Sequence, residues 1–201
     1  MKHIRIITPV AVLMLGAVIL TGCGQKESTV STISIDKDGR ISYLIYEDFS
    51  KDYYDLKELS DMASAEISEY NSEYISEKIK LESVESVEKD DSSFVKMVMD
   101  FDSADDFTVF NEESLFYGTV EEARQNGFTV SSSLVDEGGE KLPDDFLDEH
   151  SDRHVIITND KSRIITPFNI EYVTKGVKLI GKKEAELADT TADSIQLLLS
   201  K

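Results

Sequence analysis

Asp36-Lys37-Asp38-Gly39 sets two carboxylates ahead of a glycine, as a calcium-binding loop does, and Glu47 stands twelfth from Asp36, where such a loop puts its bidentate acid. Glu47, however, falls inside an extended run, so the four residues read as a hairpin turn. His150 and His154 are four apart and flanked by Asp148, Glu149 and Asp152. On one helical face that spacing would hold zinc or another transition metal. A strand is expected to begin at His154, which separates the pair, and no metal or other cofactor is assigned. Nucleophilic catalysis lacks its local parts: the one thiol is Cys23 and there is no Gly-x-Ser-x-Gly elbow. A serine-histidine pair would have to be assembled by the fold. Two carboxylates hydrolysing envelope sugars are an alternative, although among 40 Asp and Glu no pair stands out. There is no Trp to stack on a sugar, although 8 Tyr remain, and no glycine-rich phosphate loop.

Two aromatic pairs complete the candidates, Tyr53-Tyr54 and Phe116-Tyr117. Each lies just before an expected helix cap, where packing a helix onto a sheet is the simpler role. Phe116 is expected to support the core. Tyr53 and Tyr54 are the candidate partner-binding residues, with Tyr53 exposed.

The elements that must position these groups follow from periodicity. Alternation from Val30 to Ile35, the turn at 36–39 and an extended run over 41–49 predict a hairpin. Asp55 and Glu58 have N-cap spacing, and Leu59, Ala63, Ile67, Tyr70 and Tyr74 recur at three or four, predicting a helix over 56–74. A second hairpin is expected over 79–101, turning at 89–92. Ser103 with Asp106, and Thr119 with Glu122, predict two short helices, the second stopped by Gly127. Residues 131–153 hold eight acids from Asp136 to Asp152 together with Gly138, Gly139 and Pro143, and predict a mobile loop with a turn or two of helix near 143–147. Strands return at 154–158, at 163–173 with Pro167 marking an edge or a bulge, at 177–180 and at 195–199. Hairpins and helices in groups, without a strand-helix-strand rhythm, predict an α+β fold of mainly antiparallel hairpins with one longer helix and two short ones.

Ahead of this single domain, Lys2 and Arg5 precede an apolar run from Ile6 to Leu20 that ends in Leu20-Thr21-Gly22-Cys23. At 15 residues the run is short of the roughly 20 that a spanning helix needs. It reads as a secretory signal. Leu20 to Cys23 resembles the lipobox of bacterial lipoproteins, which implies cleavage after Gly22, a diacylglyceryl group on the Cys23 sulfur, and residues 23–29 as a tether. A plain secretory signal, the alternative, would leave a free thiol. Two acyl chains give durable attachment where one gives marginal binding. The chain as a whole also resembles a group of small lipoproteins of anaerobic, single-membrane bacteria. That resemblance rests on the lipobox, Glu47-Asp48-Phe49-Ser50-Lys51-Asp52-Tyr53-Tyr54-Asp55, and Asn111 to Val120, which includes Leu115-Phe116-Tyr117-Gly118-Thr119-Val120. It implies an extracytoplasmic, membrane-bound location and no particular chemistry.

The formal charge of −19 becomes more negative still once Lys2 and Arg5 leave with the signal. Such a field repels phosphate backbones, which argues against nucleic acid, and favours a basic or envelope protein partner. With Cys23 acylated there is no disulfide, so stability must come from a core. The expected function is a non-catalytic binding or scaffold module of the cell envelope, with a carboxylate hydrolase as the alternative.

Overall fold

The computed structural model describes residues 29–200. The expected signal at 1–22, its cleavage point at Gly22, the lipidation site Cys23 and the tether as far as residue 28 lie outside the described residues. The order of elements is β1 (Thr32–Ile35), β2 (Ile41–Asp48), α1 (Leu56–Ser72), β3 (Ile79–Lys89), β4 (Ser92–Phe101), α2 (Ala104–Asn111) and β5 (Leu115–Thr119). There follow α3 (Val120–Gln125), α4 (Phe146–Glu149), β6 (His154–Thr158), β7 (Arg163–Ile165), β8 (Ile170–Val173), β9 (Lys178–Gly181), β10 (Glu184–Glu186) and β11 (Ile195–Leu199). They make a seven-stranded sheet, β3-β4-β2-β1-β7-β10-β9, and a four-stranded sheet, β5-β6-β11-β8. Pairing is antiparallel except between β1 and β7, which run parallel through Ile33 and Ile164. This is the mainly antiparallel α+β architecture that the sequence predicts, with α1 as the longer helix.

Local chemistry accounts for the hairpins and caps. Asp36 Oδ1 accepts from the Asp38 and Arg40 N–H groups at 2.8 and 3.0 Å, and Gly39 takes φ +84°, so the Asp36-Lys37-Asp38-Gly39 stretch is the β1–β2 turn. Asp90 and Asp91 both take positive φ, which suits the tight turn between β3 and β4. Asp55 caps α1 by accepting from the Glu58 N–H at 2.8 Å. At the other end the Asn71 amide accepts from the Lys78 and Ile79 N–H groups and donates to the Ile79 carbonyl, which clamps α1 to β3. Ala63 and Ile67 are the buried stripe of α1.

Two cores flank the small sheet. On one face Ile156, Ile195, Leu197 and Leu199 meet Ile33, Ile41, Met99 and Phe101 of the large sheet and Phe107 of α2. On the other face Val155, Ile157 and Leu198 are covered by Val120 and Ala123 of α3 and by Leu134, Leu142 and Leu147. Those three leucines belong to the acidic segment 131–153. The segment is irregular, with α4 close to the expected helical turn, but it is held down as a lid on the sheet. Val135 exchanges two backbone hydrogen bonds with Val173, at 2.9 and 2.8 Å, and the buried Gln196 amide bonds the Thr129 carbonyl and the Ser131 N–H. Most of its acids point to solvent. Pro167 lies where the chain leaves the large sheet after β7 and enters the small one at β8.

Candidate functional site

Two surfaces gather the residues that the sequence singles out. The first is at the end of β2. Tyr54 stacks on Phe49 with ring centroids 5.0 Å apart, and Tyr53 sets its edge against Tyr54 at 4.9 Å. The turn that presents them is closed by the Tyr54 N–H on the Lys51 carbonyl at 3.0 Å, just ahead of the Asp55 cap. Tyr53 is 76% exposed and Tyr54 44%, so this is a step of rings facing solvent. The Tyr53 hydroxyl is raised above its ordinary pKa because its ionisation would set a second phenolate charge beside that of Tyr54 and would disturb their hydrogen bond; at neutral pH it is protonated, as a phenol ordinarily is, and able to donate. Exposed tyrosines of this kind supply apolar contact and a hydrogen bond together. The first described residues, Thr29 to Ser31, share a cleft with Tyr46, Glu47, Asp48 and Phe94, so the chain enters the fold beside the last residues of β2, which lead into Phe49.

The second surface is a cleft of about 320 Å³ between the β1–β2 turn, the start of α2 and strand β5. Gly39, Asp105, Phe116, Tyr117, Glu122 and Phe128 line it. Phe116 lies 4.9 Å from Phe128, centroid to centroid. A Cβ on Gly118 would come within 2.9 Å of the Phe116 ring and 3.0 Å of Glu122 Oε2, so a larger residue there would push the ring or the carboxylate aside. Glu122 Oε2 accepts from the Thr119 N–H at 2.7 Å and from its hydroxyl at 2.9 Å. The Thr119 N–H, followed by that hydroxyl, holds the Glu122 carboxyl below the usual range and hence ionised. Tyr117 stacks on His154 at 5.2 Å, and His154 lies 5.3 Å from Phe168. Burial, followed by the charges of Asp36 and Asp38, pushes the Tyr117 hydroxyl up to about 12. Tyr117 Oη and His154 Nδ1 are buried, with no hydrogen-bond partner among the described residues.

An aromatic floor beside the Glu122 and Asp105 side chains is chemistry for holding a cation. His154 lies between the Tyr117 and Phe168 rings, and its Nδ1 has no hydrogen-bond partner among the described residues. His150 ends α4 against Phe146, at 4.4 Å, while His154 opens β6, so the two sit on separate elements. Among the described residues no group of three His, Cys, Asp or Glu is placed to hold a metal. Nor is any described helix long and apolar enough to cross a membrane.

Phe116 and Tyr117 are half-buried, and both touch the interior from opposite faces of β5. The contributions of Phe128, Glu122 beyond its cap, and His154 as a ring partner are not visible in the sequence. An isolated glycine in the run 115–119 was the one available sign of a close approach. No family model, curated protein or solved structure matches the chain.

Proposed function

We propose that the chain is a lipoprotein of the cell envelope, cleaved after Gly22 and acylated on Cys23, whose folded part binds a protein partner without catalysing a reaction. The Phe49-Tyr54-Tyr53 step is the observation behind the binding role, since large rings left in solvent at a defined turn are the usual anchors of protein interfaces. Residues 24–29 span at most about 20 Å, so a lipid on Cys23 would hold this end of the domain close to the bilayer, facing envelope components. The net charge of −19, more negative still once Lys2 and Arg5 leave with the signal, favours a basic partner over nucleic acid.

The mass of the mature N-terminus from a detergent extract tests the anchor. Two outcomes are expected: a diacylated Cys23 in the wild type and an uncleaved signal in Cys23→Ala. An unmodified thiol at Cys23 contradicts the lipoprotein reading. For the binding role, Tyr53→Ala and Tyr54→Ala should lose capture of a partner from a membrane extract while the denaturation midpoint stays put.

A further inference from the structure

We infer that the cleft beside β5 docks a short extended peptide carrying lysine or arginine, received by strand addition at Tyr117. β5 is an edge strand of the small sheet. The residues flanking it, Ser114 and Val120, bond across to Asn159 and Arg153, so the even-numbered backbone groups face β6 and the odd-numbered ones face away. Two of the three outward positions are occupied. Thr108 Oγ1 accepts from the Leu115 N–H at 2.9 Å and donates to its carbonyl at 3.1 Å, and Glu122 accepts from the Thr119 N–H. Between them the outward N–H and C=O of Tyr117 have no partner among the described residues. An unpaired edge of this length admits one residue of an added strand, which can exchange both hydrogen bonds with Tyr117.

The surroundings select what that strand carries. Phe116 and Phe128 offer a ring surface for an apolar side chain or a cation's stem, and Asp105, Glu122 and the nearby Asp36 and Asp38 make the local charge negative. Short edges with capped ends are how proteins avoid open-ended pairing, which makes this single free position selective for a small segment. The inference rests on reading the domain as a binding module, but it uses a surface separate from Tyr53 and Tyr54.

The probe is a capped hexapeptide alternating valine and lysine, titrated calorimetrically into the full-length chain in detergent micelles at about 0.15 M salt, where diffuse attraction is screened beyond about 8 Å. One-to-one binding is expected, weakened about tenfold or more when every peptide nitrogen is methylated, because the charges persist while the ladder bonds are lost. Asp105→Asn, an exposed change, should weaken binding about threefold. Tyr53→Ala should leave it unaltered, even if that variant loses its own envelope partner. In amide exchange the Tyr117 N–H should slow on peptide addition. No binding of the valine-lysine peptide, equal binding of its methylated form or of a valine-glutamate version, or a Tyr117 amide indifferent to the peptide would each overturn the proposal.

Discussion

All five residues of β11 are buried, whereas in β2 only Ile41 is, although both strands lie inside their sheets. The difference comes from what covers each sheet. β11 alternates Ile195, Leu197 and Leu199 into the core shared with the large sheet, and Gln196 and Leu198 toward α3 and the acidic segment. β2 has one covered face. Its other face pairs Ser42 with Ser34 and Asp100, Leu44 with Val98, and Tyr46 with Lys96, all half-buried. A sheet covered twice draws stability from both faces of every strand, so the smaller sheet should be the firmer one despite having fewer strands.

Truncation inside β11 should expose the contrast most sharply. Leu197→Ala removes a side chain with no exposed surface and should cost about 3 to 5 kcal/mol in chemical denaturation, against about 1 kcal/mol for Leu44→Ala on the open face of β2. If the two costs were equal, the covering of the small sheet would not be what stabilises it. Phe116→Ala probes the sheet's edge. Because the ring is half-buried against Phe128, its loss should cost about 2 to 3 kcal/mol, below the range for a fully enclosed phenylalanine. An unmoved midpoint would remove Phe116 from the second core.

Thr119→Ala, which breaks the capping box of α3, should cost about 1 kcal/mol. The box also brings a pH dependence. Glu122 has a folded pKa below its unfolded value, so the stability it contributes is complete above the ordinary glutamate range near about 4.3 and is lost as pH falls through the folded value. Wild type should therefore lose more stability between about pH 5 and 3 than Glu122→Gln does; parallel acid titrations of the unfolding midpoint check the sign. The smallest effect belongs to Tyr53→Ala. At 76% exposure it should stay within about 0.5 kcal/mol of wild type, and a larger loss would mean that the ring step supports the fold.

How legible each part was in the sequence follows the same division. Both hairpins of the large sheet announce themselves by alternation and by acidic or glycine turns, and Asp55, Ser103 and Thr119 cap their helices as their spacing predicts. Those are local signals. β5 was hidden because five residues containing Gly118 read as a lead-in to the Thr119 cap, and β10 because Glu184 and Glu186 flank its one buried residue, Ala185. Pro167 was legible as an interruption, but its role at the change of sheets depends on pairings between segments far apart in the chain. The acidic segment misled by composition: eight carboxylates suggested mobility, whereas Leu134, Leu142 and Leu147 decide its placement. Within the candidate site, Tyr53 and Tyr54 were legible as an aromatic pair. The β5 cleft was not, since it joins residues 39, 105, 117 and 128 only after both sheets have formed.

Native-state amide exchange, followed residue by residue at increasing denaturant, compares the two sheets directly. The N–H groups of Gln196, Leu197 and Leu198 should exchange only through global unfolding, while those at the far end of β2, around Tyr46 and Glu47, should open at a clearly lower free energy. Protection at Tyr46 and Glu47 equal to that of β11, or exchange of Leu197 by a local opening, would contradict the claim that the twice-covered small sheet is the most stable part of the molecule.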